Sequence, residues 1–193
     1  MEHKTLDTLF LAARSHKFFL DKPVSKETLE RVYSLSRMGP TAWNTCPMRI
    51  AFVSTPEAKE KLEKALSPGN VDKTRSAPVT AIVAIDMTFP QKLDLLAPHM
   101  AGNTIFADMP EKNFQQFVYR NASLQAGFLI VAARACGLDC GPMSGFNNAL
   151  VDELFFEGTS WKSNFLINLG YGSGEYLPPR APRLPFEEAC KIL

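Results

Sequence analysis

Five short stretches of this chain carry residue types able to do chemistry together. Arg14, Ser15 and Lys17 set a hydroxyl and two cations just past the first apolar helical pattern, a group that grips a phosphate or an electron-rich ring edge. Pro40, Thr41 and Asn44 sit in a turn after the second helical pattern, and Asn70 and Lys73 stand one helical turn apart. Residues 137–147, "GLDCGPMSGFN", follow the most core-like helix with Pro142, Met143, Ser144 and Gly145 in a row. Such a side-chain-poor, helix-breaking run reads either as a plain turn or as backbone amides offered to a ligand. Arg180 and Arg183 add two guanidiniums near the C-terminus. Taken singly, each stretch reads more simply as solvated surface, because exposed Lys and Arg are the norm.

Other chemistries fit the residues poorly. "LGYGSGE" lacks the third glycine of a dinucleotide fingerprint, and a proline-rich tail follows where a crossover helix should begin. Ser144 in "GPMSGF" misses the nucleophile-elbow spacing, with no histidine placed to serve as its base. Cys46, Cys136, Cys140 and Cys190 have no zinc-type spacing, and His3, His16 and His99 are scattered, so no metal site is expected. With no secretory signal in "MEHKTLDTLF", the expectation is free thiols in the cytoplasm.

The elements that must position these residues follow from periodicity. Leu6, Leu9, Phe10 and Ala13 predict a first helix ending near Arg14; Ser25 caps a second, with Leu29, Val32, Tyr33 and Ser36 on one face. "RIAFVS" from Arg49 predicts a short strand, and Thr55-Pro56 opens a helix that turns Leu62, Ala65 and Leu66 inward. "APVTAIVAID" from Ala77 is the run of a central strand covered on both faces. Residues 87–112 show no period and read as a lid or surface excursion. Residues 111–136 predict one long helix, buried toward its C-terminal half. "SNFLINLGYG" from Ser163 reads as the last core strand, and residues 185–193 as a short helix. The alternation predicts an α/β or α+β sandwich.

Composition bounds the partners. The 193 residues make one domain, 1–193, long enough to bury its own core. Hydrophobic residues are 46% and charged residues 21%, and 21 Lys+Arg against 20 Asp+Glu leave a net charge of +1. That balance argues against nucleic-acid and membrane-surface binding.

In combination the five stretches resemble the FMN-dependent nitroreductase family over nearly the whole chain. Arg14, Ser15, Lys17, Pro23 and Val24 match its opening segment; Pro40, Thr41, Asn44 and Pro47 match its Pro-Ser-x-x-Asn turn. Asn70, Lys73, Ala77 and Pro78 match an Asn-x-x-Lys segment before a strand; Gly137, Leu138, Pro142 and Gly145 match a Gly-Leu stretch and loop; Arg183 matches a basic C-terminal segment. Within the family, "GPTAWN", "APVTAIVA", "GLDCGPMSGF" and "PRLPFEEAC" are most similar to the malonic semialdehyde reductase branch associated with pyrimidine degradation. Thr41 stands where many members have Ser, and Ser144 where several have Glu.

The resemblance implies an α+β three-layer α/β/α sandwich with a central mixed sheet, an intertwined homodimer, and FMN at its interface. It implies that Arg14, Ser15 and Arg183 of one subunit hold the phosphate, with Arg180 beside them, and that Pro40, Thr41 and Asn44 of the other flank the ring. Lys17, Asn70 and Lys73 then reach the pyrimidine edge, Pro142 and Met143 line one face, and the Ser144 or Gly145 amide points at flavin N5. No side chain is assigned a catalytic role. The implied activity is ping-pong hydride transfer from NADPH or NADH to a small carbonyl or nitro acceptor, malonic semialdehyde giving 3-hydroxypropanoate, with Arg120 or Arg75 as the cation for its carboxylate. A broad nitro- or quinone reductase is the alternative. A non-catalytic flavin-binding protein, its ring face blocked by Trp43 or by residues 87–112, is the second.

Overall fold

The computed structural model describes residues 3–193. The first helical pattern forms α1 (His3–Leu6) and then widens into one π-helical turn over Asp7–Leu11. Ser25 caps α2 (Lys26–Ser36), its hydroxyl accepting from the Thr28 amide at 3.2 Å. β1 (Met48–Val53) leads into α3 (Pro56–Glu63), capped by the Thr55 hydroxyl. A further helix, α4 (Pro68–Ser76), carries Asn70 and Lys73 on adjacent turns and precedes β2 (Val79–Asp86). After α5 (Leu93–Leu96) comes α6 (Glu111–Ala135), then β3 (Asp139–Met143), α7 (Asn148–Phe156), β4 (Trp161–Gly170) and α8 (Phe186–Ala189).

The strands form one sheet in the order β1-β2-β4-β3. β2 lies inside it and is buried along its whole length, as its apolar run requires. Its two faces feed two cores, because side chains alternate across a strand. Val79, Ala81, Val83 and Ile85 pack with Val118, Ala122, Ala126, Leu129 and Ala133 of α6, while Ile82 and Ala84 pack with Leu62, Val151 and Phe156 of α3 and α7. Helices therefore cover both faces, the expected three layers. Strand direction differs from the expectation of a mixed sheet: all three strand pairs are antiparallel, and the one parallel pairing among the described residues is the single bridge between Ser15 and Cys140.

Residues 87–112 lack periodicity for a physical reason. Short helical turns bring Phe89, Leu93, Ala97, Met100 and Phe106 into the α6-side core at irregular intervals. Phe89 stacks on Phe114 and meets Phe106 edge-on, and Trp43 joins the same group against Phe106 and Phe117. The excursion is thus fastened to its own chain by aromatic packing.

Candidate functional site

α6 ends where the opening glycine of "GLDCGPMSGFN" takes φ +81°. The Leu138 amide reaches back to the Ala133 carbonyl and the Gly137 amide to Arg134, the two bonds of a Schellman cap. The next five residues are not a loop, as the sequence suggested, but β3, an edge strand paired with Leu166–Gly170 of β4. An edge position tolerates Pro142, whose missing N–H leaves no inner ladder bond unmade.

β3 organises four of the five stretches. At its start Ser15 bridges to Cys140, and the His16 amide donates to the Cys140 carbonyl at 2.9 Å. Gly141 makes this contact possible, since a Cβ there would lie 2.4 Å from the His16 carbonyl oxygen. Beside this segment a cavity of about 250 Å³ is lined by Arg14, Ser15, Arg134, Arg180 and Arg183 together with Pro178 and Pro179, and by no acidic residue. Arg14 donates to the Pro178 carbonyl; Arg180 donates to the Leu11 and Ala13 carbonyls at 2.7 and 2.6 Å; Arg183 bonds the carbonyls of Ala181 and Pro182. The Arg14 and Arg180 bonds tie the C-terminal segment to the N-terminal one, and Arg14, Arg134, Arg180 and Arg183 line one hollow. Lys17 lies exposed on the same extended segment.

Beyond the other end of β3, the Gly145 carbonyl accepts from the Ser67 amide at 3.0 Å and from Asn70 Nδ2 at 2.9 Å, and Lys73 Nζ donates to Asn70 Oδ1 at 3.2 Å. Thr74 Oγ1 approaches the Met143 sulfur at 3.8 Å. With its carbonyl held this way, the loop presents an exposed Ser144 and a Gly145 whose Cβ, if present, would lie 2.6 Å from Asn70 Nδ2. From Cys140 to Gly145 the extended chain covers about 16 Å. One strand thus joins an anion cradle to a polar, side-chain-poor loop.

The fifth stretch lies elsewhere. Pro40, Thr41 and Asn44 lead into β1, at the opposite edge of the sheet from β3, three strand spacings or about 14 Å across. The turn is unusual: Trp43, Asn44 and Cys46 all have positive φ (52°, 53° and 41°), which costs on the order of 1–3 kcal/mol each. It is held by Asn121 Oδ1 accepting from the Ala42 amide at 2.7 Å, Thr41 Oγ1 accepting from the Cys46 amide at 3.1 Å, and Asn44 Nδ2 donating to the Leu96 carbonyl at 2.7 Å. Thr41 therefore has a structural task that a serine hydroxyl could equally perform.

Several contributing residues escaped the sequence reading. Arg134 is one: it stands alone in an apolar helical run, its Nη1 bonds the Leu9 carbonyl at 3.0 Å, and its buried Nε has no protein partner. A lone arginine in such a run was the available signal. Asn121 and Gln125, buried at i and i+4 of α6, were another. Arg75, a guessed substrate cation, is already engaged by Glu63 at 2.7 Å and Asp72 at 3.3 Å, which removes it from that role. Arg120 is exposed. Burial pushes the Cys140 thiol up to about 12, which leaves it an unreactive, buried group.

These residues fit a phosphorylated flavin. An acid-free hollow of arginines with an orphaned buried N–H suits a phosphate, and the Asn70–Lys73–Gly145 group offers both donors and a close backbone approach to a ring edge. Among the described residues no cluster of His, Cys, Asp or Glu could hold a metal, and no helix is long and apolar enough to cross a membrane.

The fold and the site define a class that comparison makes definite: the chain belongs to the nitroreductase family, whose model matches residues 11–171. It is 53% identical over 192 residues, covering 100% of this chain and 97% of the relative, to a Stutzerimonas stutzeri A1501 protein with the provisional name NADH dehydrogenase/NAD(P)H nitroreductase. A Stenotrophomonas maltophilia K279a protein of the same name is 54% identical, again over 100% and 97% of the two chains. Among solved structures, a provisionally named nitroreductase in complex with FMN from Exiguobacterium sibiricum 255-15 superposes with a TM-score of 0.88, covering 100% and 99% of the chains at 18% identity.

Proposed function

We propose that this chain is an FMN-dependent NAD(P)H oxidoreductase that works as a homodimer with two shared flavin sites. The observation that carries the reading is β3, with the arginine cradle at one end and the Asn70–Lys73–Gly145 group at the other. Membership of the nitroreductase family and the names of the close relatives support it. Arg14, Ser15, Arg180 and Arg183 hold the phosphate, with Arg134 behind them. Lys17, Asn70 and Lys73 put positive charge and donors at the polar edge of the ring, Pro142 and Met143 line a face, and the amide of Ser144 or Gly145 meets N5. When bound, the flavin supplies hydride transfer from NADPH or NADH to a small acceptor. The chain positions both reactants and needs no catalytic side chain of its own.

The dimer follows from the fifth stretch. Pro40, Thr41 and Asn44 stand across the sheet from their own cradle, so they flank a ring held by a second copy. An exposed apolar hollow of about 430 Å³, lined by Phe10, Leu124, Gly127, Phe128 and Val131, supports a self-association face on α6. Trp43 and residues 87–112 are packed against their own chain, which favours an open ring face over the non-catalytic alternative. The exposed Cys190 and the absence of disulfides in the described chain suit a reducing cytoplasm.

For the acceptor, the reading is malonic semialdehyde, reduced to 3-hydroxypropanoate. Its support is Ser144, which leaves the pocket without the glutamate that would repel a carboxylate. The relatives' names favour the second reading, a broad nitro- or quinone reductase. Comparing kcat/KM for malonic semialdehyde, propanal and a nitroaromatic decides between them. A clear carboxylate advantage supports the first; a nitroaromatic preferred by a wide margin overturns it while leaving the flavin assignment standing.

A further inference from the structure

Under the strained turn, on the far side of the sheet from the cradle, lies a cavity of about 470 Å³ formed by α2, the 44–49 turn, α5 and α6. Its size is that of a small-ligand site. Three cations line it: Arg37, Arg49 and Lys92. Arg49 is spent, because its guanidinium bonds Asp86 at 2.7 Å and the Cys46 and Met48 carbonyls. Arg37 and Lys92 pair with no carboxylate among the described residues, and no acidic side chain lines the cavity. Two uncompensated cations therefore face an acid-free hollow.

The second observation lies at the back of the cavity. Gln125 is only 3% exposed, and its Oε1 accepts from the Met48 amide at 3.0 Å. That bond fixes which way the amide points: the oxygen faces β1, and the NH2 is left toward the cavity with no protein acceptor. The NH2 is open to the cavity and free to donate to whatever occupies it. Asn44 and Cys46 of the turn line one side, and the rest of the wall is mainly apolar, with Met38 69% and Leu95 80% exposed and Tyr33 and Leu96 beside them.

We propose that this cavity is a binding site for a monocarboxylate with an apolar body. The carboxylate takes the Gln125 N–H and the flexible Arg37 and Lys92 side chains, which reach in from the rim. The chain of the ligand lies against Tyr33, Met38, Leu95 and Leu96. A single negative charge matches one buried neutral donor and two rim cations, and the apolar wall selects acids with a hydrocarbon body over small inorganic anions. One chain builds the whole site, so binding stands apart from the flavin reading. Where that reading holds, Asn44 is shared between this cavity and the ring-flanking turn, and the site supplies the acceptor cation that Arg75 cannot.

The test is calorimetric titration of the purified full-length protein with hexanoate and with hexanol, on the parent, on Arg37→Gln/Lys92→Gln and on Gln125→Glu. Both cations are exposed and unpaired, so the double variant should melt like the parent. Gln125→Glu keeps the acceptor for the Met48 amide but puts a negative charge where the NH2 was. The expected result is hexanoate binding at least tenfold tighter than hexanol, weakened at least tenfold in the double variant and lost in Gln125→Glu. Equal binding of acid and alcohol, parent-like hexanoate affinity in the double variant, or no hexanoate binding by the parent would each overturn the proposal. If Gln125→Glu fails to fold, the double variant decides alone.

Discussion

Gly141→Ala puts the placement of the cradle under direct strain. Its new Cβ would lie 2.4 Å from the His16 carbonyl oxygen, with Asn168 Cβ and Phe19 Cζ each at 3.5 Å closing the other directions. Reaching ordinary van der Waals separation requires the Ser15–His16 backbone to lift by about 1 Å. The His16 amide then loses the Cys140 carbonyl, because a 2.9 Å bond stretched that far is no longer a hydrogen bond. Overpacking costs about 1–3 kcal/mol and the lost bond about 1 kcal/mol, together about 2–4 kcal/mol. For a chain of this size that is a fall in Tm on the order of 5–15 °C. Ser15 and Lys17 move with the segment, so FMN affinity should fall at least tenfold, about 1.4 kcal/mol or more. Thermal melting and a flavin fluorescence titration measure the two effects. Gly69→Ala, with nothing within 4 Å of its Cβ, is the control and should lose neither. A Gly141→Ala protein that melts and binds FMN like the parent would refute the placement of Ser15 and Lys17 by β3.

Two further outcomes follow from buried titratable groups. Burial alone would raise the Asp86 carboxyl, but hydrogen bonds from Ser160 and from the Thr88 amide and hydroxyl, with Arg49 alongside, hold it below the usual range. Its stabilisation is present above the unfolded value near pH 4 and is lost as pH falls through the lower folded value. Ser160→Ala should therefore cost about 1.5–3 kcal/mol at pH 7, with the gap to the parent closing in urea titrations as pH falls through the lowered folded value. Thiol labelling should modify exposed Cys190 readily and leave Cys140 untouched until the chain unfolds; reaction of native Cys140 would contradict its burial.

How legible the molecule is in its sequence depends on what fixes each part. α6, the Ser25 and Thr55 caps and the buried β2 follow from local pattern, and the structure forms them within a few residues of where the pattern puts them. β3 was hidden because Gly141 and Pro142 carry turn chemistry, and only pairing with β4 makes them a strand. α4 and α7 were hidden for a related reason: Pro68-Gly69-Asn70 reads as a turn, and α7 has little polar contrast between its faces. The antiparallel direction of the sheet is likewise a matter of connection rather than composition. Residue type and order mark five stretches; the structure gathers four of them along β3 and leaves the Pro40–Asn44 turn across the sheet from the rest. The positive φ values of Trp43, Asn44 and Cys46 rest on bonds to Asn121 and Leu96, far away in sequence, so no local pattern announces them.

The central claim is that each flavin site is shared between two chains, and subunit complementation tests it directly. Arg183→Glu spoils the cradle, and Pro40→Glu places a carboxylate where the partner's ring would lie; both positions are exposed, so both variants should fold. Each homodimer should lose FMN, by at least tenfold for a charge-assisted contact worth about 1.5–3 kcal/mol. A heterodimer isolated through two different tags contains one intact cradle facing one intact turn. The account predicts that it holds one FMN per dimer at parent-like affinity and recovers about half of the parent's NAD(P)H oxidation. A heterodimer that binds no better than the two homodimers would show that each site is built within a single chain.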